Sequence, residues 1–174
     1  NSSIVNRKRV ENAISLFNKS DLANNNFILC IAGKLHKTKY SEFIKEICKN
    51  NKSILLLDYV NELEKVWLFL NASLLISTSS TEGFGVPVLD ALSINLPCLA
   101  TDIPTYKEIK AFKKDSNITL LKQNQDDAWI KNLNNVKKFS IEDTPKRLDR
   151  INHFKIFFTE LEKNTILKIN SFMN

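Results

Sequence analysis

The chain has 174 residues, of which 43% are apolar and 25% charged, with three cysteines and a formal net charge of +6. That length fits one domain able to bury about two-thirds of its unfolded surface, and no apolar run approaches the ~20 residues that would span a bilayer. The positive excess is scattered lysine without a nucleic-acid motif, and the aromatics are mainly Phe at core-like spacing, which speaks against nucleic acid as a partner. Weak attraction to acidic lipid headgroups at a membrane face stays compatible with it. No signal peptide follows Asn1, and Cys30, Cys48 and Cys98 are widely spaced and odd in number, with Cys30 and Cys98 inside expected strands. Buried, reduced thiols in a cytoplasmic protein are the expectation.

Residues 1–6 read as a loop. Apolar Val10, Ala13, Ile14 and Phe17 predict a helix over 7–18. Arg7-Lys8-Arg9 at its start opposes the positive end of the helix dipole, and charge set against local preference invites a ligand. A strand is expected over 27–32, ending at Gly33, then a helix over 39–50 with Phe43, Ile44 and Ile47 inward. A buried strand over 53–57 leads into Asp58-Tyr59-Val60, at the carboxyl end where open α/β sheets bind ligands. A helix over 61–71 and a strand over 74–77 follow.

Ser79-Ser80-Thr81-Glu82-Gly83-Phe84-Gly85-Val86-Pro87 then separates that strand from a helix over 86–96, on which Val88, Leu89, Leu92 and Leu96 face inward. Gly83 and Gly85 are two of the chain's three glycines, and glycine permits positive φ and close backbone approach. Pro87 suits a first helical turn. Strand, Gly-x-Gly turn and helix together present amides at the positive end of a dipole, which is an anion site. Glu82 and Asp90 flank it, and carboxylates accept hydrogen bonds from sugar hydroxyls. A tight turn with dipole compensation explains the same residues without a ligand.

After that helix come a strand over 97–100 opened by Pro97, the turn 101–104, a short helix at 106–109, a strand over 118–121 and a helix over 126–138. Trp129, Ile130 and Leu133 face inward on the last of these. Two further helices are expected within 142–174, where Phe154, Ile156, Phe157 and Phe158 suit either a docking surface or a local core. His36 and His153 have no metal-spaced partners and read as non-catalytic. Strands alternating with helices predict an α/β fold, Rossmann-like and doubly wound, with a mostly parallel sheet and helices on both faces.

The run Glu82-Gly-Phe-Gly-Val-Pro-Val-Leu-Asp90-Ala-Leu-Ser-Ile-Asn-Leu-Pro-Cys-Leu-Ala-Thr-Asp102 resembles the signature of the family 4 retaining glycosyltransferases, the group 1 glycosyl transferases. In that pattern an acid is followed by seven residues and a second acid, then by a small residue and Pro opening the next strand. The resemblance implies the C-terminal, donor-binding half of a two-domain GT-B fold over residues 1–174. The acceptor-binding N-terminal domain would precede residue 1, so the isolated domain would be inactive. It implies a nucleotide diphosphate sugar as substrate and no metal.

By the same resemblance Lys8 contacts the donor diphosphate. The strand that precedes the family's partner arginine is not evident, so that arginine is either missing or replaced by Arg7. Glu82 holds the transferring sugar, Gly83, Phe84, Gly85 and Val86 form the phosphate turn, and Asp90 takes the ribose hydroxyls. Gly33 closes a loop under the nucleotide, and Tyr59 lies in the turn that borders the base. Asp90 is one methylene shorter than the family's glutamate, and Asp58 replaces its usual glycine. A second class fits these departures: a non-catalytic nucleotide or sugar-phosphate binding domain with a regulatory or assembly role.

Overall fold

A computed structural model describes residues 3–112 and 117–138. Seven strands and six helices form there, alternating except where β2 runs directly into β3. They run β1 Ser3–Ile4, α1 Val10–Lys19, β2 Leu29–Ala32, β3 Lys34–Leu35, α2 Lys39–Cys48, β4 Ile54–Leu57, α3 Glu62–Asn71 and β5 Leu75–Ser77. After these come α4 Val86–Ser93, β6 Cys98–Thr101, α5 Pro104–Phe112, β7 Ile118–Leu121 and α6 Asp126–Asn134. A 3-10 turn at Asn6–Lys8 joins β1 to α1. The residues expected to form helices within 142–174, with Phe154, Ile156, Phe157, Phe158 and His153, lie outside the described residues.

Every strand pairing is parallel, as an alternating α/β order requires. Leu29 pairs with Ile54, Leu75 with Cys98, Cys98 with Ile118, and Ser3 with Lys34. The ladders fall into three sets: β1 with β3, β2 with β4, and β5-β6-β7. Two local causes break them. Gly33 separates β2 from β3, so these segments pair with different neighbours. Between β1 and β5 the bonds run from loop to turn: Ser80 N–H donates to Arg7 C=O at 2.8 Å, and Thr78 Oγ1 to Arg9 C=O at 2.8 Å.

β6 is buried along its whole length, as a central parallel strand should be. The main core gathers Ile14, Phe17, Ile31, Ile44, Leu99, Trp129 and Leu133. The helix starts differ. Thr38 caps α2 by accepting from the Ser41 amide at 3.2 Å. Asn61 and Glu64 form a reciprocal capping box on α3. Gly85 opens α4 at φ 71°. Ahead of α1, Arg9 adopts φ 48°, a left-handed conformation that a side chain disfavours.

Several expectations are corrected. Residues 1–6 are not all loop: Ser3–Ile4 forms a two-residue strand held by Lys34–Leu35. The first helix starts at Val10 rather than residue 7, because the 3-10 turn and Arg9 intervene. α4 stops at Ser93, and Asn95 at φ 56° turns the chain so that Leu96 is still buried. Cys30 and Phe43 are exposed, since they sit on the outward faces of β2 and α2, while Ser41 and Cys48 point inward on α2. Among the described residues no helix is long and apolar enough to cross a membrane.

Candidate functional site

The site grows from the carboxyl end of β5. Three residues after the strand the chain reaches Ser80, pinned to Arg7, and then Glu82, whose own C=O accepts from Thr105 Oγ1 at 2.7 Å. These backbone bonds fix the turn from two sides. The Glu82 carboxylate, 5% exposed, points inward to meet three donors. Lys8 Nζ and Ser79 Oγ, the latter at 2.7 Å, donate to Oε1, and Arg7 Nη1 donates to Oε2 at 2.8 Å. Burial alone pushes the Glu82 carboxyl up, but the bonds from Lys8, Ser79 and Arg7 outweigh it and hold it below its ordinary range. A carboxylate offers about four lone-pair directions. Three are taken, so one remains for a ligand hydroxyl.

Gly83 to Val86 follow without a break, and among the described residues none of their four amides has a hydrogen-bond acceptor. Phe84 is 71% exposed and Val86 half exposed. The two glycines differ. A Cβ at Gly83 would meet nothing within 4 Å, whereas one at Gly85 would come 2.9 Å from the Tyr106 ring and 3.0 Å from Ile109. Gly83 therefore faces open space, and Gly85 is a packing requirement as well as a positive-φ position.

Asp90 lies one turn into α4 and has a different partner. Lys65 Nζ of α3 sits 3.3 Å from Asp90 Oδ2 and 2.6 Å from Glu62 Oε2. No contact joins Asp90 to Glu82, so the two acids serve two separate cationic groups. Gly33 and Tyr59 form a third locus. The Gly33 amide donates to Asp58 C=O at 3.2 Å, Asp58 Oδ1 accepts from the Leu35 amide at 2.7 Å, and the neighbouring Tyr59 is exposed. Asp58, standing where a glycine was expected, ties the ends of β2 and β4 together.

The structure thus brings Arg7, Lys8 and Glu82 into direct contact beside Gly83–Val86. It leaves Asp90, Gly33 and Tyr59 outside that contact set. Ser79, Thr105, Tyr106 and Lys65 were missed from sequence. Ser79 stood three residues before Glu82 and could have been suspected. Lys65 reaches Asp90 by a tertiary contact between α3 and α4, which no local pattern announces. Tyr106 was visible only as a helix residue, although its Oη lies 2.6 Å from Ser77 Oγ and its ring supports Gly85.

The family and the fold are shared with known proteins. A family profile described as Glycosyl transferases group 1 matches residues 2–152. A stretch of 105 residues is 30% identical to the serotype-specific mannosyltransferase WbdA of Escherichia coli, covering 59% of this chain and 13% of that protein. The fold superposes on WaaG, a glycosyltransferase involved in lipopolysaccharide biosynthesis, with a TM-score of 0.61 at 18% identity. It covers 97% of this chain and 44% of that one. TarM gives a TM-score of 0.60 at 20% identity over 99% of this chain and 33% of its own. The chain spans less than half the length of each of these proteins.

Proposed function

The chain belongs to the group 1 glycosyl transferases, and on that premise we propose that it is the donor-binding domain of a retaining glycosyltransferase. It would take a sugar from a nucleotide diphosphate sugar and pass it to a glycan or lipid-linked acceptor in surface polysaccharide synthesis. The observation that carries this reading is the convergence of Arg7, Lys8 and Glu82 on a turn whose amides lack acceptors at the start of α4. A cationic pair and a helix N-terminus suit a diphosphate, and the one open lone pair of Glu82 suits a sugar hydroxyl.

Each side chain then has a task. Lys8, aided by Arg7, the amides of Gly83, Phe84, Gly85 and Val86 and the α4 dipole, stabilises charge on the departing diphosphate. Glu82 orients the transferring sugar. Asp90 accepts from the ribose hydroxyls, while Gly33 and Tyr59 border the base. No metal enters this scheme, so transfer should survive chelation. A further domain of the complete protein would supply the acceptor side, in keeping with the share of its relatives that this chain spans. The isolated domain should then bind without turning over, on the cytoplasmic side of the membrane.

The test is a thermal-shift screen of UDP-, GDP- and ADP-sugars against the complete protein, with a mannosyl donor first because of the WbdA likeness. One nucleotide series should raise the melting temperature, and magnetic resonance of the product should show the donor's anomeric configuration kept. No shift with any series would sink the donor reading, and an inverted anomer would sink the retaining one.

A further inference from the structure

The contact between Lys65 and Asp90 assigns a task to a residue that the donor reading leaves idle. Lys65 projects from the first turns of α3, and Glu62, three residues earlier on the same helix, holds its ammonium at 2.6 Å. The same ammonium reaches across to α4 and Asp90 at 3.3 Å. An ammonium carries three N–H donors. Two are used, and the side chain is 31% exposed, so the third is open to a ligand. Burial pushes the Lys65 amine down, yet its bonds to Glu62 and Asp90 prevail and raise it. It therefore stays charged at neutral pH.

A vicinal diol has two O–H donors but also acceptor lone pairs, and a carboxylate can satisfy only the donors. An ammonium beside the carboxylate satisfies the acceptors. We propose that Lys65 is a second ribose-binding residue, its ammonium donating to a diol oxygen whose hydrogen Asp90 accepts. The proposal deepens the donor reading and rests on it. Charge favours the diol over the diphosphate as the partner of this pair. Lys65 with Glu62 and Asp90 sums to one net negative charge, which repels phosphate. The pair also offsets the short reach of Asp90, because the donor comes in from a second helix.

The test is calorimetry of the complete protein with UDP, GDP and ADP, each beside its 2′,3′-dideoxy analogue. Lys65→Met keeps the apolar stem and removes the ammonium; Lys65→Arg keeps the charge. For the nucleotide that wild type binds, Lys65→Met should weaken the ribose form about tenfold. It should leave the dideoxy form unchanged, and Lys65→Arg should recover most of the loss. Equal losses on both forms, no loss, or tighter binding would overturn the proposal, the last showing that Lys65 merely neutralises Asp90. Asp90→Ala separates the two levels: if it too fails to distinguish ribose from dideoxyribose, the assignment of Asp90 has failed first. If wild type binds none of the three nucleotides, the donor reading itself falls.

Discussion

The two acids of the signature stand eight residues apart and live under different constraints. Glu82 is 5% exposed and accepts from Lys8, Ser79 and Arg7, while Thr105 holds its backbone. Asp90 is 36% exposed, and its carboxylate meets one ammonium at 3.3 Å. The first is a fixed carboxylate whose position is set by residues on several elements. The second is an adjustable one, held by a pair of the kind that contributes little at a surface. On the proposed function, rigidity falls where a sugar would have to be oriented for transfer, and compliance where a nucleotide would need only to be gripped.

The largest expected effect comes from breaking the support of the rigid end. Gly85→Val combines a branched residue at φ 71° with a Cβ 2.9 Å from Tyr106. Backbone strain and overpacking together should cost about 2–5 kcal/mol, read in denaturant unfolding. Gly83→Ala, with open space around its Cβ, should stay within about 0.5 kcal/mol of wild type. If the two glycines cost the same, the turn is not packed as described.

Next is the charge of Glu82. Glu82→Gln in the complete protein should lower transfer by about ten- to a hundredfold, the equivalent of ~1.5–3 kcal/mol for a charged acceptor. Affinity for the nucleoside diphosphate product should hold or rise, because Lys8 and Arg7 are released from their ion pairs. Product affinity falling as far as transfer would erase the distinction between the ends. Lys8→Ala is smaller: binding of nucleoside diphosphate should weaken several-fold while free nucleoside is unaffected, since an ammonium acts on phosphate as a point charge.

The rigid end should also show in pH. The folded-state pKa of Glu82 lies below its ordinary 4.5. Its stabilisation is therefore fully present above about that pH and lost as pH falls through the depressed value. Acid unfolding of Glu82→Gln should lack this portion of the pH dependence. The smallest effect belongs to the compliant end. Asp90→Glu should change stability by less than about 1 kcal/mol and bind the nucleotide diphosphate at least as well as wild type; a marked loss would mean that Asp90 is as tightly constrained as Glu82.

Much of this was legible in the residues. Among the described residues, apolar spacing and, for α5, the family resemblance put the helices and most strands within a few positions of where they lie, and the Gly-x-Gly turn marked the start of α4. What escaped did so for particular physical reasons. β1 is two residues long, too short for any periodic signal. The 3-10 turn at Asn6–Lys8 closes on its own local bonds but is docked by Thr78 and Ser80, some seventy residues away. Phe43 carries a core residue's chemistry on a face left half exposed among the described residues. The ion pairs at Glu82 and Asp90 join distant segments, so no local pattern announces them. The two cations that meet Glu82, Arg7 and Lys8, stand out in the sequence because Arg7-Lys8-Arg9 crowds an expected helix start and because the family resemblance assigns Lys8 to the diphosphate.

That separation along the chain has a kinetic consequence. Arg7 and Lys8 meet Glu82 across 75 and 74 residues, and Thr78 meets Arg9 across 69. Closing loops of that length must precede any return from the contacts they bring, and contacts of high sequence separation slow folding. The helices and the β2–β4 pair can form within their own stretches, but the Glu82 cluster cannot exist until residues 7–9 have met the turn after β5. A refolding chain should regain its helical signal before it regains the cluster, which makes the site a late and stringent reporter of the finished fold.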